Sequence, residues 1–447
     1  MLKKILIIIL IFINITIFSI GFDISFYWKS PGRFYSSVYQ NIPFFRYLYS
    51  KEGAGQEQLY SFLEKNIDKS LKNDVLKFIN SDFLFLTNDT LSLENMFWII
   101  PIQDSIKFIS NFNGYIITDY NDIEKLIYLI KNLFSYEVEY NNGKYNIKQL
   151  NLKFQLIADH IIFYNGKAID LTEIFGLLDY FNELKLQVTT NVYIHFKNHK
   201  FNFFVEPLQE KYIQKYPDTS EGTVTVQYEN KNIIFNIDTN FKVLKSTSLK
   251  KDYKIFGDSV VYLNIEKKEN ILNIAKRIFT PDDDYSLNVL RYILESVKNV
   301  DSVYISEYFS RKGDGISIII PGEVNVEKLE EKFSHWNIKS KKLGNYTYYT
   351  IYYKNIGDPV YLYLNEKQLI ISSNSPSLMK YIIVSSKKIS NLGVFKNIDN
   401  LENNVLYFWY ININSFFEEY IGDSVPGEVL ILNSEEDNRF KELIILR

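Results

Sequence analysis

The amino-acid sequence contains no cysteine in 447 residues. This absence excludes disulfide bonds, thiol nucleophiles and cysteine metal sites. It also excludes a lipid anchor of the lipoprotein type, which requires an acylated cysteine. The chain is long enough to be stable without disulfide bonds, because several hundred residues bury a large hydrophobic core.

Histidine is also rare, with four residues in the chain. His195 and His199 are four residues apart, the spacing at which two imidazoles on a helix share a metal ion. The surrounding sequence predicts a strand, however, and four residues of strand span about 13 Å, which is too far for one ion. The acidic run 282–284 is predicted to form the first turn of a helix, where the helix dipole stabilises carboxylates. The sequence therefore predicts no metal site.

Recognisable catalytic and cofactor-binding motifs are missing as well. The sequence contains no Gly-x-Ser-x-Gly elbow, no His-Glu-x-x-His pair and no phosphate-binding glycine loop that ends in Lys-Ser or Lys-Thr. We therefore expect no cofactor, and a role in binding or scaffolding rather than catalysis. A hydrolase of wall polysaccharide remains an alternative, because the two facing carboxylates it needs have no characteristic spacing in a sequence.

The N-terminal residues have the features of an export signal. Two lysines precede the nine apolar residues 5–13, and the segment ends in Ser19-Ile20-Gly21, small residues at the positions that a signal peptidase reads. The sequence predicts export to the periplasm or cell envelope, with cleavage after Gly21. The alternative is an uncleaved anchor formed by residues 5–21, which is close to the shortest length that spans a bilayer. Membrane contact is expected only in that case.

The overall charge is weakly acidic. The formal net charge is −3, and removal of Lys3 and Lys4 with the signal lowers it by two to −5. A protein of this charge is not expected to bind nucleic acid or an anionic membrane surface as its main partner. The expected partners are another envelope protein or an apolar ligand, and a periplasmic carrier of a lipid is the first alternative to a scaffold.

Beyond residue 80, two parts of the chain show the same order of sequence patterns. The strand Gly114 to Thr118 leads into a helix that begins at Asp122, and the strand Ile316 to Ile320 leads into a helix that begins at Asn325. Later features match in the same order, at offsets that change gradually along the chain. The pairs are Gly143 with Gly344, Asp170 with Ser375, Asn191 with Asn404, and the hairpin turn at Asn230 with the turn at Asp437. The pattern predicts a diverged tandem duplication with insertions in loops, and two unrelated α+β halves are the alternative.

These observations predict an α+β protein with four segments. The segments are a signal peptide at 1–21, a mainly helical N-terminal segment at 22–80, a first α+β module at 81–245 and a second at 251–447. The polar stretch 245–250 is the predicted boundary between the modules. Hairpins outnumber crossover connections, so each module is predicted to be a mainly antiparallel sheet with helices packed on one face.

Aromatic residues are abundant, with 35 tyrosines and 34 phenylalanines. Aromatic side chains suit strands, and one face of each strand must belong to a core. If the protein has a functional surface, the joint between the modules is the expected place, because ligand pockets favour domain interfaces. The candidate exposed aromatic residues for a ligand or partner surface are Tyr346, Tyr348, Tyr353, Phe408 and Tyr410.

The export signal, the strand Phe97 to Pro101, the helix starts at Asp122 and Asn325 and the final hairpin together resemble uncharacterised bacterial envelope proteins built from duplicated α+β modules. The resemblance covers most of the mature chain. It implies an envelope location and a duplicated fold. It implies no catalytic residue and no ligand.

Overall fold

The structure is a computed structural model that describes most of the chain. The described ranges are 22–49, 69–88, 113–165, 171–197, 221–239, 254–264, 268–279, 284–309, 315–335, 338–352, 359–395, 405–420, 422–436 and 439–447. These residues form two compact units, 22–239 and 254–447. The predicted signal at 1–21, the predicted boundary at 245–250, His199 and Tyr353 lie outside the described residues.

The described part of the first unit contains ten strands in one antiparallel sheet. They are rich in aromatic and β-branched residues, which favour the extended, half-buried backbone of a sheet. The strands are β1 (Ile24–Trp28), β2 (Phe83–Thr87), β3 (Gly114–Thr118), β4 (Val138–Asn141), β5 (Lys144–Ile147), β6 (Leu152–Ile157), β7 (His160–Tyr164), β8 (Val192–Lys197), β9 (Glu221–Glu229) and β10 (Asn232–Thr239). Their order across the sheet is β4-β5-β6-β7-β3-β2-β1-β8-β9-β10.

Helices connect these strands. They are α1 (Pro31–Asn41), α2 (Pro43–Tyr49), α3 (Lys69–Ile79), α4 (Ile123–Phe134) and α5 (Leu171–Gln187). Helix α4 begins as the sequence predicts, because the Asp122 carboxylate accepts a hydrogen bond of 3.2 Å from the backbone N–H of Lys125. Such a cap satisfies one of the N–H groups that have no partner within the helix.

The second unit contains a further ten-stranded antiparallel sheet in its described part, together with two short strand pairs. The strands are β11 (Lys254–Ile255), β12 (Ser259–Asn264), β13 (Val297–Lys298), β14 (Ser302–Tyr308), β15 (Gly315–Pro321), β16 (Glu323–Val324), β17 (Lys341–Leu343), β18 (Tyr346–Ile351), β19 (Val360–Asn365), β20 (Gln368–Ser372), β21 (Lys387–Lys388), β22 (Val405–Asn412), β23 (Glu428–Glu436) and β24 (Arg439–Leu446). The order across the sheet is β17-β18-β19-β20-β15-β14-β12-β22-β23-β24, while β11 pairs with β21 and β13 with β16.

Five helices are described in the second unit. They are α6 (Lys268–Phe279), α7 (Asp284–Glu295), α8 (Val326–His335), α9 (Pro376–Ser385) and α10 (Ile413–Tyr420). At the start of α8, the Asn325 side chain accepts a hydrogen bond of 3.0 Å from the backbone N–H of Lys328, and the Ser375 hydroxyl caps α9. Nowhere in the described chain is a helix both long and apolar enough to cross a membrane.

The two ten-stranded sheets have the same topology. Strands β1 to β10 correspond in order to β12, β14, β15, β17–β20 and β22–β24, and helices follow the first, third and seventh strands of both sheets. The β4–β5 turn contains Gly143 at φ 79° and the corresponding β17–β18 turn contains Gly344 at φ 59°. Glycine suits both turns because it adopts positive φ without a steric penalty.

Helices cover both faces of the first sheet, which corrects the expectation of one helical face. The Tyr27 ring in β1 contacts Phe181 of α5, with 6.0 Å between ring centroids. The next residue, Trp28, contacts Phe34 of α1 at 6.4 Å. Because successive side chains of a strand point to opposite faces, α5 and α1 lie on opposite sides of the sheet.

The second sheet is also covered on both faces. Tyr349 of β18 packs against Phe333 of α8, with ring centroids 4.5 Å apart. The preceding residue, Tyr348, faces the other way and packs on a core that includes Met379 and Ile382 of α9. Helices lie on both faces because the central strands carry apolar residues on both faces, and these residues must be shielded from water. Strand β20, for example, is buried at all five positions.

The predicted N-terminal segment 22–80 contributes a strand to the middle of the first sheet. Strand β1 pairs with β2 on one side and with β8 on the other. All five of its residues are buried. The described part of the segment is therefore integral to the first unit.

Two glycines of the first unit give opposite predictions for the change to alanine. At Gly114 in β3, a Cβ atom would lie 1.8 Å from the carbonyl oxygen of Leu86, so we expect Gly114→Ala to lower the free energy of unfolding by about 2 kcal/mol. At Gly176 in α5, a Cβ atom would meet no other atom within 4 Å, so Gly176→Ala should raise that free energy by about 1 kcal/mol. Urea denaturation of both variants tests this, and equal stability of the two variants would contradict it.

Candidate functional site

A pocket of about 430 Å³ lies in the second unit, on the face of the sheet that α9 covers. The residues around it come from the start of β12, the ends of β14 and β22, the C-terminal half of α9, helix α10 and the short β11–β21 pair. They are Ile255, Gly257, Asp258, Tyr308, Phe309, Tyr381, Ile382, Ser385, Ser386, Lys387, Leu392, Tyr410, Asn412, Ser415, Glu418 and Glu419. We call this the α9–α10 pocket.

Asp258 joins three elements at the base of the pocket. Its carboxylate accepts hydrogen bonds from the Ser415 hydroxyl at 2.9 Å, the Asn412 side-chain amide at 3.3 Å and the Phe309 backbone N–H at 3.3 Å. Its backbone N–H donates to the carbonyl oxygen of Glu307, and its carbonyl oxygen accepts from the N–H of Asn412. Burial raises the pKa of Asp258, while these hydrogen bonds oppose the rise because they favour the ionised carboxylate.

The serine and asparagine side chains of the pocket donate hydrogen bonds within the protein. Ser385 donates to the carbonyl oxygen of Tyr381 at 3.0 Å, and Ser386 donates to that of Ile383 at 2.7 Å. Each of these bonds runs from a serine at the end of α9 to a carbonyl oxygen three or four residues earlier, a common local hydrogen bond of serine in helices. The amide of Asn412 and the hydroxyl of Ser415 donate to Asp258.

Aromatic side chains form the other wall. The rings of Tyr308 and Tyr381 contact each other with 6.1 Å between centroids, at an angle of 61°. Tyr381 is 45% exposed, so part of its ring faces solvent. The Tyr410 hydroxyl donates a hydrogen bond of 3.1 Å to Glu428, and burial, together with that carboxylate, raises the pKa of Tyr410 above its usual range.

The charged groups of the pocket are mainly acidic. Among the described residues that line the pocket, Asp258, Glu418 and Glu419 supply three carboxylates and Lys387 supplies one ammonium group. Lys387 acts on Asp258 electrostatically and favours its ionised form. Within the described ranges, no group of three or more metal-ligating residues is arranged to hold an ion.

The aromatic residues that the sequence singled out are mostly core residues. Tyr346 is 5% exposed and Phe408 is fully buried, so neither forms an exposed surface. Tyr348 is partly buried against the same core. Tyr410 is 3% exposed and contributes to the α9–α10 pocket. Successive residues of β18 and β22 point to opposite faces of the sheet, and each face packs on a core. Because aromatic residues occur on both faces of these strands, the sequence does not indicate which face is exposed.

No pattern in the sequence indicates the residues that form most of the pocket. Asp258, Ser415 and Glu419 are separated by up to 161 positions, and the topology of the sheet brings them together. The nearest signal was the helix cap at Ser375, which sets the start of α9 and so the position of Ser385 and Ser386 at its end.

The sequence predicts that His195 and His199 do not share a metal ion. His195 lies in β8, as the sequence predicts, and its Nε2 atom is 3.1 Å from a carboxylate oxygen of Glu221 in β9. Burial lowers the pKa of His195, and the Glu221 carboxylate opposes that effect. In the second unit, Tyr410 and Glu428 make a similar contact between β22 and β23, the strands that correspond to β8 and β9.

Comparisons with known proteins assign no family to the chain. No protein-family model matches it. The chain is 24% identical over 375 residues to RecBCD enzyme subunit RecB of Buchnera aphidicola subsp. Baizongia pistaciae, a match that covers 76% of this chain. The chain spans only 29% of that relative's length.

The chain also matches solved structures of TP0453 at a low level. Crystal form IV of TP0453 gives a TM-score of 0.27 at 15% identity, over 45% of this chain and 81% of that chain. Crystal form III gives 0.26 at 15% identity, over 45% and 79%. Neither match supports an inference about function.

Proposed function

We propose that this protein is exported to the cell envelope and acts there by binding a small molecule in the α9–α10 pocket. The observation that carries the proposal is the pocket itself. A volume of about 430 Å³ falls in the range of small-molecule sites, which combine apolar walls with a few oriented polar groups. Ile255, Ile382 and Leu392 provide apolar wall, and Asp258 and Asn412 are held in place by hydrogen bonds.

The export part of the proposal rests on the N-terminal sequence. Basic residues, an apolar core and a small-residue exit occur in the order that a signal peptidase requires. The shared topology of the two sheets supports the further proposal that the chain arose by tandem duplication of one α+β module. A duplicated module can keep a ligand site in one copy while the other copy has a scaffolding role.

A carrier of an apolar ligand such as a lipid is an alternative form of the same proposal. It would need a continuous apolar cavity between sheet and helices. The α9–α10 pocket fits an acyl chain poorly, because three carboxylates and a lysine are among its lining residues. Burial of an acyl chain beside these groups would remove them from water without giving them a partner.

A hydrolase of wall polysaccharide is the second alternative, and one observation favours it. Asp258, Glu418 and Glu419 line the same pocket, and a raised pKa such as that of Asp258 is a feature of general acids. Both oxygens of Asp258 already accept hydrogen bonds within the protein, however, so its carboxyl group is better placed to support the pocket than to protonate a substrate. We therefore prefer binding to catalysis.

Native mass spectrometry of the protein from its own envelope fraction tests the proposal. We expect a mature chain that begins at Phe22 and carries a non-covalent small-molecule adduct. A lipid-sized adduct would favour the carrier. A chain that retains residues 1–21 would contradict cleavage, and a bare chain that degrades wall polysaccharide would contradict the binding role.

A further inference from the structure

We propose that the ligand of the α9–α10 pocket is a small organic ammonium ion, a molecule with several N–H donors and a positive charge. This inference rests on the proposed binding function and names the chemical class that the pocket would select. Three features of the pocket carry it: its hydrogen-bonding capacity, its charge and its aromatic wall.

The hydrogen-bonding capacity of the pocket is mainly that of an acceptor. The side chains of Ser385, Ser386, Asn412 and Ser415 and the hydroxyl of Tyr410 all donate to protein oxygens. Carboxylate, hydroxyl and amide oxygens of the pocket remain available to a ligand as acceptors. A ligand that itself supplies acceptors, such as a phosphate or carboxylate, would find Lys387 as the charged donor among the described lining residues, together with the hydroxyls of Tyr308 and Tyr381.

The charge of the pocket selects in the same direction. Among the described lining residues, three carboxylates and one ammonium group leave a formal excess of two negative charges when all are ionised. Asp258 is turned toward Ser415, Asn412 and Phe309, so its role toward a ligand is long-range attraction. Glu419, half-buried on α10, is the carboxylate best suited to direct contact, because the Glu418 side chain accepts a hydrogen bond from Asn414 at 2.8 Å and is more exposed.

The aromatic wall adds a second source of attraction for a cation. The Tyr308 and Tyr381 rings meet at 61°, so they present differently oriented faces and edges to the same space. A cation above the face of an aromatic ring is attracted by the negative potential of that face, and the attraction grows as water is excluded. A neutral sugar would also stack on these rings and donate hydrogen bonds from its hydroxyl groups, but it would lack the attraction between opposite charges that the carboxylates offer a cation.

Isothermal titration calorimetry with spermidine on the mature protein tests the inference. We expect saturable binding that weakens as salt is added, because the attraction is between charges. Glu419→Gln should weaken spermidine binding by about fivefold, the effect of removing one partly exposed carboxylate. Tyr381→Ala should weaken it by about tenfold through loss of the cation–ring contact. Glu366→Gln, a matched change in the exposed β19–β20 turn outside the pocket, should leave binding unchanged.

Two further probes separate this inference from the proposed function. N,N′-diacetylchitobiose is a neutral probe and succinate an anionic one. If either binds in a way that Tyr381→Ala disrupts and spermidine does not bind, the pocket binds ligands but the ammonium class is wrong. Equal spermidine affinity of wild type, Glu419→Gln and Glu366→Gln would also overturn the inference. If none of the three probes binds, the ammonium inference falls, and the presence or absence of an adduct in native mass spectrometry decides the binding function separately.

Discussion

Glu442→Gln is expected to raise the free energy of unfolding of the second unit by about 3 kcal/mol at about pH 7, and to change it little near pH 4. Glu442 lies in β24 and is 1% exposed. Asn433 lies directly opposite it in β23. Burial raises the pKa of Glu442 to about 8, although the neighbouring Asn433 side chain acts in the opposite direction.

The sign of this effect follows from the two protonation states. In the unfolded chain the carboxyl group of Glu442 has its ordinary pKa of 4.5, whereas in the folded protein it keeps its proton up to about pH 8. Between these values the unfolded chain releases a proton that the folded protein retains. The free energy of unfolding therefore falls as pH rises through this window. Glutamine carries no charge at any pH, so this part of the pH dependence disappears.

Urea denaturation at about pH 4, 7 and 9 measures the difference, and hydrogen exchange of peptides from 428–446 assigns the transition to the second unit. Glu366→Gln is the matched control, since Glu366 is exposed in the β19–β20 turn and its replacement should leave the pH dependence unchanged. Parallel pH profiles for wild type and Glu442→Gln would contradict a raised pKa at this position.

Phe408→Ala should lower the free energy of unfolding by about 4 kcal/mol, the usual cost of removing a buried phenylalanine ring. Phe408 has no exposed surface. Its ring stacks on Tyr262, with centroids 5.5 Å apart and an interplanar angle of 9°, and meets the Phe395 ring edge-on at 5.7 Å. Loss of the ring leaves a cavity that these neighbours fill only in part.

Tyr352→Ala is the control for this result. Tyr352 is 72% exposed, and replacement of an exposed side chain should change stability by less than about 0.5 kcal/mol. Thermal and urea denaturation of both variants gives the comparison. A cost at Phe408 as small as that at Tyr352 would restore Phe408 as a candidate for an exposed binding surface.

Local signals in the sequence predicted many elements of the fold correctly. The helix starts at Asp122 and Asn325 both form side-chain caps, and Asn230 lies at positive φ in the hairpin turn between β9 and β10. These features depend on a few neighbouring residues, so the chemistry of the local sequence determines them. The α+β class and the antiparallel pairing follow from the same hairpins.

The layers of the fold were harder to predict. The sequence indicated helices on one face of each sheet, whereas Tyr27 and Trp28 contact helices on opposite faces. The deciding signal was that strands such as β1 and β2 are apolar at most positions. If one face of the sheet were exposed to solvent, apolar and polar residues would alternate along these strands. A short apolar run of this kind is compatible with several structures, and only its packing partners distinguish them.

The candidate site depends on contacts between residues distant in sequence. Of the aromatic candidates from the sequence that the structure describes, Tyr410 alone lines the α9–α10 pocket, and it does so from a buried position. Asp258 gave no signal, because a lone aspartate before a strand is common in turns. Its role becomes visible when Ser415 and Asn412 are placed around its carboxylate.

The most direct test of the binding function compares two tryptophan variants by native mass spectrometry of protein from its own envelope fraction. Ser385 lines the α9–α10 pocket, while its neighbour Val384 is 80% exposed and lies outside the lining. We predict that the wild type and Val384→Trp retain a small-molecule adduct and that Ser385→Trp, whose side chain fills the pocket, loses it. An adduct of the same mass and occupancy on all three proteins would contradict a ligand site in this pocket.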